Sequence, residues 1–404
     1  MGDAFEATLT SPIFEDGFLA DKPHRHLAKL RAEAPVALDA GRRVWVLSGY
    51  AEVVAASLDP QTFRSRQGIL LSEMGVAYPA PPSMMHTDPP EHTRLRGLVE
   101  PAFTPEVVDA WEPRIRGRAE AALDRVPYDE VVDVVSQLAA PLPLQIIADL
   151  LGMPEADLPR LSAWSEAAVP GVSELPQDQM TQLMVQMMAY LLSIASERRA
   201  RADGDAAQDV VSRLATIERD GDRLNDTELT MFMVQLLVAG NATTRNALSG
   251  ALAALAQHPR QWQRLQRNPH LLPSAVEEAL RWTSPVVYYL RTTSRPVRLA
   301  GRAIPTGSHV MLLYLSANRD QREFGESAGA FDIGRHPNPH VAFGAGPHVC
   351  LGAGLARTAL RVVLEGLLSR VDTIEVAGSL EWSRILAKPG LRRAPLRLTK
   401  AQSA

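Results

Sequence analysis

The sequence predicts a mainly α-helical protein with a small β-sheet region, on three observations. Helical periodicity dominates from about Pro101 to Leu368. Strand-like patterning is confined to two short stretches. One helix, opening at Asn225, is specified by its cap and is apolar on all sides. There is no internal repeat, and the linker-like segment Ala202 to Ala207 is too short to separate two units, so residues 1–404 are expected to form a single domain.

In chain order, the first strand is expected at Arg43 to Leu47, after the Ala40-Gly41 turn. The helical body that follows is punctuated at Pro127, Pro141, Gly152, Pro154, Pro170, Gly221, Pro259 and Pro273. Within it Asn225 is a strong N-cap, Glu228 completes a capping box and Leu224 with Leu229 forms a hydrophobic staple. The helix they open should run to about Gln257, and its all-round apolar stretch Leu236 to Ala239 implies that it crosses the middle of the protein. The second strand region, Val286 to Leu313, is rich in Val, Tyr, Leu and Thr and is broken at Gly301 and Gly307. A last helical pattern runs from Leu351 to Leu368.

Composition narrows the function classes. With 46% hydrophobic and 22% charged residues the chain reads as globular, and a formal net charge of -4 lacks the basic excess of a nucleic-acid binder. The first residues show no basic and apolar signal pattern, and the most apolar run, Met231 to Ala239, is too short to span a bilayer and contains Gln235. Cys350 is the only cysteine, which excludes an internal disulfide and fits a reducing, cytoplasmic setting. Its thiol is then a packing group, a nucleophile or a metal ligand.

The surrounding segment favours the chemical roles. In Phe343-Gly344-Ala345-Gly346-Pro347-His348-Val349-Cys350-Leu351-Gly352 the cysteine stands at the opening of a helical pattern, where the helix dipole and free N–H groups favour a thiolate. The flanking glycines let the backbone turn tightly and lie close to a flat cofactor. A lone cysteine is ordinarily a small buried hydrophobe; this loop makes a ligand the better reading.

That segment carries every fixed position of FGxGxHxCxG, the haem-binding loop of the cytochrome P-450 family, and the chain resembles that family in three further places. Glu278-Ala279-Leu280-Arg281 matches the family's ExxR, and with Arg335 in Phe331-Asp332-Ile333-Gly334-Arg335 it implies a buried triad holding the cysteine loop. Taken alone, such a pair is more often solvated and worth about 0.2–0.5 kcal/mol. His92-Thr93-Arg94-Leu95-Arg96 puts His92 and Arg96 on one helix face; by resemblance they grip the haem propionates together with Arg291 and His348. Ala239-Gly240-Asn241-Ala242-Thr243-Thr244 matches the family's distorted oxygen-binding turn, in which a glycine loosens the helix and a threonine bonds back one turn. Ala242 departs from the pattern, since the family usually has an acid there.

What the resemblance implies is a cytochrome P-450 fold with haem b (iron protoporphyrin IX) between the long central helix and the helix after the cysteine loop. Cys350 is the expected iron ligand, with Phe343, Gly344 and Gly352 in the haem-binding loop, and Gly240, Asn241, Ala242 and Thr243 on the oxygen side. The activity implied is insertion of one oxygen atom from dioxygen into a C–H bond of a small-to-medium apolar substrate. The segments AGNxTTRN and RWTSPV look most like those of bacterial members acting on steroids, terpenoids and related molecules; polyketides and aromatic compounds belong to the same range. Substrate contacts are expected from Gln67 to Ser83, Ala167 to Met188, Val238 with Ala239, and Val286 to Tyr289. Met180, Met184, Met187 and Met188 read first as core and second as a pocket roof.

With no flavin or iron–sulfur signature, electrons are expected from a ferredoxin and its reductase. The ferredoxin would dock on positive charge from Arg94 and Arg114 or Arg116, and the enzyme would act as a monomer. A peroxide-using haem-thiolate enzyme would place an arginine on the distal helix, but Arg245, two residues from Thr243, lies on another face. A haem sensor would add an output element, which the sequence does not show.

Overall fold

The computed structural model describes residues 8–9, 12–20, 23–75, 83–168, 175–200 and 209–401. The Ala202 to Ala207 segment lies outside them, as do 76–82 and 169–174 within two of the expected substrate-contact stretches. The helices of the first half are α1 (His24–Glu33), α2 (Tyr50–Leu58), α3 (Glu91–Val99), α4 (Pro105–Leu123), α5 (Pro141–Leu151), α6 (Leu158–Ala167) and α7 (Gln177–Ala200). Then come α8 (Val210–Thr216), α9 (Asp226–Gln257), α10 (Pro259–Arg267), α11 (Leu272–Thr283), α12 (Tyr314–Ala317), α13 (Gln321–Phe324) and α14 (Ala353–Leu368).

The long helix α9 is built as its sequence predicts. Asn225 Oδ1 accepts from the Glu228 N–H at 2.9 Å, and Glu228 Oε2 accepts from the Asn225 N–H at 2.8 Å. Leu224 and Leu229 are both buried beside this box. From Asn246 to Ala256 every residue of α9 is buried, and the helix packs against α5, α7 and α11. A fully buried leucine such as Leu237 contributes about 1.5–3 kcal/mol relative to exposure, so a helix lined this way anchors the core. Met187 is fully buried in that core and Met184 and Met188 pack against it, as the first reading of the methionines has it, whereas Met180, half-buried, is not among the residues of this core.

The main sheet has six strands in the order β1-β2-β3-β9-β6-β4: β1 (Thr8–Leu9), β2 (Val36–Asp39), β3 (Val44–Leu47), β4 (Phe63–Arg64), β6 (Tyr289–Thr293) and β9 (His309–Leu312). Both expected strand regions fall in it; between β6 and β9 the hairpin β7 (Val297–Leu299) and β8 (Arg302–Ile304) turns at Gly301 (φ 78°), and Gly307 (φ 74°) leads into β9. Strands are not confined to those regions. A second sheet joins β10 (Val371–Val376), β13 (Pro395–Lys400) and β5 (Val131–Asp133), and β11 (Glu381–Trp382) pairs with β12 (Leu391–Arg393). The signal for β13 is a brief alternation, Leu396 and Leu398 buried and Arg397 outward, which a stretch this short hardly distinguishes from a loop.

Candidate active site

Cys350 closes a loop that runs through a 3-10 turn at Gly346–His348 into α14. Gly352 is the N-cap of α14, so Cys350 lies just before the helix, at its opening, and the helix starts two residues later than the Leu351 expected. The loop is fixed by its backbone: the Cys350 N–H donates to the Phe343 carbonyl at 2.9 Å. Gly344 and Gly346 both have positive φ, and a Cβ on Gly346 would stand 2.3 Å from the Ser57 carbonyl oxygen, so only glycine lets α2 close on the loop. Cys350 is exposed, yet burial of its surroundings pushes the thiol pKa up, against the Gly352 N–H and the charges of Arg96 and Arg357 that favour the thiolate.

Four basic side chains converge beside it from α3, β6 and the loop. The rings of His92 and His348 are 4.1 Å apart between centroids, and His92 and Arg291 are buried. Arg96 Nη1 donates to the Val349 carbonyl at 2.8 Å, tying α3 to the residue before Cys350. Ser65 Oγ lies 3.2 Å from His348 Nε2. Burial lowers the His348 pKa to about 2, with Arg291, His92 and Arg96 adding to the effect; His92 is lowered for the same reasons, with Asp88 alone opposing. The guanidinium groups of Arg96 and Arg291, set beside two imidazoles that can donate, fit an anionic group. One thiol beside them completes a donor set that fits haem.

Beneath the loop, Glu278 of α11 receives Arg281 Nε and Nη2 at 2.7 Å and Arg335 Nε at 3.1 Å, with Glu278 and Arg281 fully buried. The two guanidinium groups hand their remaining protons to backbone carbonyls of Asn318, Ala328, Ala330 and Ser327. The structure thus brings the predicted triad together and adds Asn338, whose Nδ2 donates to Glu278 Oε2 at 3.2 Å. The preceding residue, Glu277, was not anticipated. Its carboxylate binds Arg357 of α14 at 2.7 and 2.9 Å and His340 at 3.1 Å, while Arg357 covers the Phe343 ring at 4.6 Å. Neighbouring carboxylates on one helix therefore hold both approaches to Cys350.

On the opposite side, α9 runs unbroken through the oxygen-side motif. Thr243 Oγ1 donates to the Ala239 carbonyl at 2.5 Å, the predicted back-bond. Gly240 has a packing reason: a Cβ there would lie 3.2 Å from Ile147 of α5. Asn241 does not face the same side as Thr243; its amide donates to Ser165 of α6 at 2.9 Å. Gln235 and Asn246, seven residues before and four after Ala242 on the same face, each hold a buried side-chain oxygen without a partner. Sequence reading missed both as candidates, although their spacing marks them.

The expected docking charges are already engaged. Arg94 binds Asp222 at 2.7 Å and Glu228 at 2.6 Å, and Arg116 binds Glu112 and Glu365, both at 2.7 Å. Arg114 stacks on Trp111 at 5.0 Å. The surface by the cysteine loop is instead apolar: Leu58 and Val349 are exposed next to Gly346. Among the described residues no helix is long and apolar enough to cross a membrane.

Comparisons with known proteins agree with this geometry. The family model described as Cytochrome P-450 matches residues 173–378. The chain is 37% identical over 391 residues to the methyl-branched lipid omega-hydroxylase of Mycobacterium tuberculosis, covering 91% of this chain and 89% of that protein. It is 35% identical over 400 residues to a cytochrome P-450 of Saccharopolyspora erythraea, covering 95% and 96%. Among solved structures, a cytochrome P-450 from Chondromyces apiculatus superposes with a TM-score of 0.87 at 32% identity, over 97% of this chain and 98% of that one. One from Bacillus megaterium, solved with corticosterone, gives 0.83 at 33% identity, over 93% and 98%. With its fold, its cysteine loop and its basic cluster, the chain belongs to the cytochrome P-450 family of haem b monooxygenases.

Proposed function

We propose that this monooxygenase hydroxylates a small-to-medium apolar molecule, of terpenoid, steroid, polyketide or aromatic type, with electrons from a ferredoxin served by a reductase. The observation that carries the reading is the convergence of the Cys350 loop with His92, Arg96, Arg291 and His348, of which His92 and Arg291 are buried. Cys350 would hold the iron, the basic cluster the propionates, and Glu278, Arg281 and Arg335 the loop itself. Bound there through a thiolate, haem supplies the reductive activation of dioxygen.

The chain's own residues do the rest. Gly240 lets α5 and α9 pack closely, and the Thr243 hydroxyl, now turned to the Ala239 carbonyl, supplies a proton donor on the oxygen side by rotating. The steroid-bound relative and the lipid hydroxylase support an apolar substrate. The exposed Leu58 and Val349 support docking of the electron donor through apolar contact at the cysteine loop, since Arg94 and Arg116 are paired within the protein.

The test is optical titration of the purified haem protein with a library of apolar compounds, followed by turnover of each binder with a ferredoxin and reductase. At least one compound should shift the haem spin state and gain one oxygen atom. A library that yields neither result with any ferredoxin overturns the reading.

A further inference from the structure

Among the described residues two charges act on the Cys350 sulfur in favour of its thiolate, those of Arg96 and Arg357. They are held differently. Arg96 donates to the Val349 carbonyl, whereas both hydrogen bonds that Arg357 makes among the described residues go to one carboxylate, that of Glu277 on α11. Glu277 grips it through both oxygens, at 2.7 and 2.9 Å, and His340 Nε2 lies 3.1 Å from the second of them. So held, the guanidinium sits 4.6 Å from the centre of the Phe343 ring, and the Phe343 carbonyl accepts the Cys350 N–H at 2.9 Å. Glu277 is thus joined to the cysteine through two intervening residues.

Stability alone does not account for this arrangement. Arg357 is 42% exposed and Glu277 29%, and an ion pair that open to solvent adds little to the folded state. Glu277 nonetheless keeps its charge: burial opposes ionisation, but hydrogen bonds from His340 and Arg357 hold the carboxyl well below its usual range. What the pair controls is the net charge beside the sulfur. Reduction of ferric to ferrous haem by one electron from the donor adds one negative charge next to the thiolate, which a nearby cation favours and a nearby anion opposes. Arg357 alone would ease that reduction and draw electron density from the sulfur. A carboxylate bound to it by two parallel hydrogen bonds cancels most of the effect.

We infer that Glu277 is a positioning residue for the iron ligand: by fixing and neutralising Arg357 it keeps Cys350 a strong electron donor and lowers the reduction potential of the haem. This rests on the reading of Cys350 as that ligand. Neither Glu277 nor Arg357 takes part in oxygen transfer.

The experiment is spectroelectrochemical titration of the haem-loaded protein, with infrared spectroscopy of its ferrous carbonyl complex. Glu277→Gln leaves Arg357 without a counter-charge and should raise the ferrous-to-ferric ratio at a fixed applied potential by at least about threefold, which is about 28 mV for one electron. Arg357→Gln should move the ratio the other way by a similar factor, and the two substitutions together should return it to within about twofold of the parent. The carbon monoxide stretch should rise in Glu277→Gln and fall in Arg357→Gln, as the thiolate loses or gains donor strength. Glu277→Asp keeps the charge and should keep the parental potential. A purely structural role predicts shifts of one sign in both single variants, because either change loosens the loop and admits water; shifts of one sign, or none, overturn the inference. Arg357 lies partly at the surface, so the sign of its shift decides the matter even if Glu277→Gln fails to hold haem. A parent whose reduced carbonyl complex lacks the thiolate-type band would remove the reading of Cys350 together with this one, whereas that band with unmoved potentials would remove this one alone.

Discussion

Glu278 offers one carboxylate oxygen to each of two nitrogens of Arg281, at 2.7 Å both times, across a single helical turn from which solvent is excluded. A pair so buried is less a source of stability than a commitment, because removing one member strands the other. Glu278→Gln would strand Arg281 and Arg335 together. We expect a loss of about 3–5 kcal/mol in urea unfolding. A loss under about 1 kcal/mol would show that the guanidinium groups are satisfied by their carbonyls alone.

Cys350→Ser should abolish the thiolate-type band of the reduced carbonyl complex while leaving the far-ultraviolet circular dichroism unchanged, since the loop is held by its backbone and its glycines. Persistence of the band would mean that Cys350 is not the ligand.

Arg96→Ala and His348→Ala should each speed haem transfer to apomyoglobin, with substrate choice unaltered. Each removes a positive charge or donor from a desolvated group, at a cost of about 1–3 kcal/mol. Arg96→Ala should be the more severe, because it also frees the Val349 carbonyl beside the cysteine.

Glu277 carries a pH signature. Burial alone would raise its carboxyl pKa, but hydrogen bonds from His340 and Arg357 overcome this and lower it from 4.5 to about 2. A carboxyl depressed on folding stabilises fully above its unfolded pKa and loses that contribution as pH falls toward the folded value. Glu277→Gln should therefore be less stable than the parent at pH 7, by something on the order of 1 kcal/mol for a partly solvated group. The difference should shrink from pH 5 downward and be nearly gone by about pH 2, as read from unfolding midpoints across that range. A constant difference would assign the effect to packing.

Ala242→Glu should raise product formed per reducing equivalent, by up to about 100-fold, because a general acid would join a face on which Gln235 and Asn246 hold partnerless side-chain oxygens. Equal coupling and an unchanged solvent isotope effect would show that Ala242 is neutral.

How much of this was legible follows from how far apart partners lie in the chain. The Cys350 loop, the Asn225 box, Glu278 with Arg281 and the Thr243 back-bond each close within a few residues, so sequence spacing displays them directly. Glu277 meets His340 and Arg357 across long stretches of chain, and on its own it is one more acid on a helix. The pairing of β13 with β5 joins opposite ends of the chain, and neither strand is long enough to announce its period. Arg94 misled for a related reason: its neighbours in sequence are basic, while the acids that neutralise it, Asp222 and Glu228, belong to a distant turn and helix.

That last contact makes α3 a cross-brace. Its His92 and Arg96 look inward to the haem cradle, while Arg94, between them in sequence, clasps Glu228, the same carboxylate that closes the capping box of α9. The residues expected to seat the cofactor and the residue that closes the central helix's cap are thus joined through α3. Emptying the cradle should let α3 slacken and, through Arg94, unfasten the first turn of α9, so amide exchange at Leu229 to Phe232 should report haem loss from the far end of the brace.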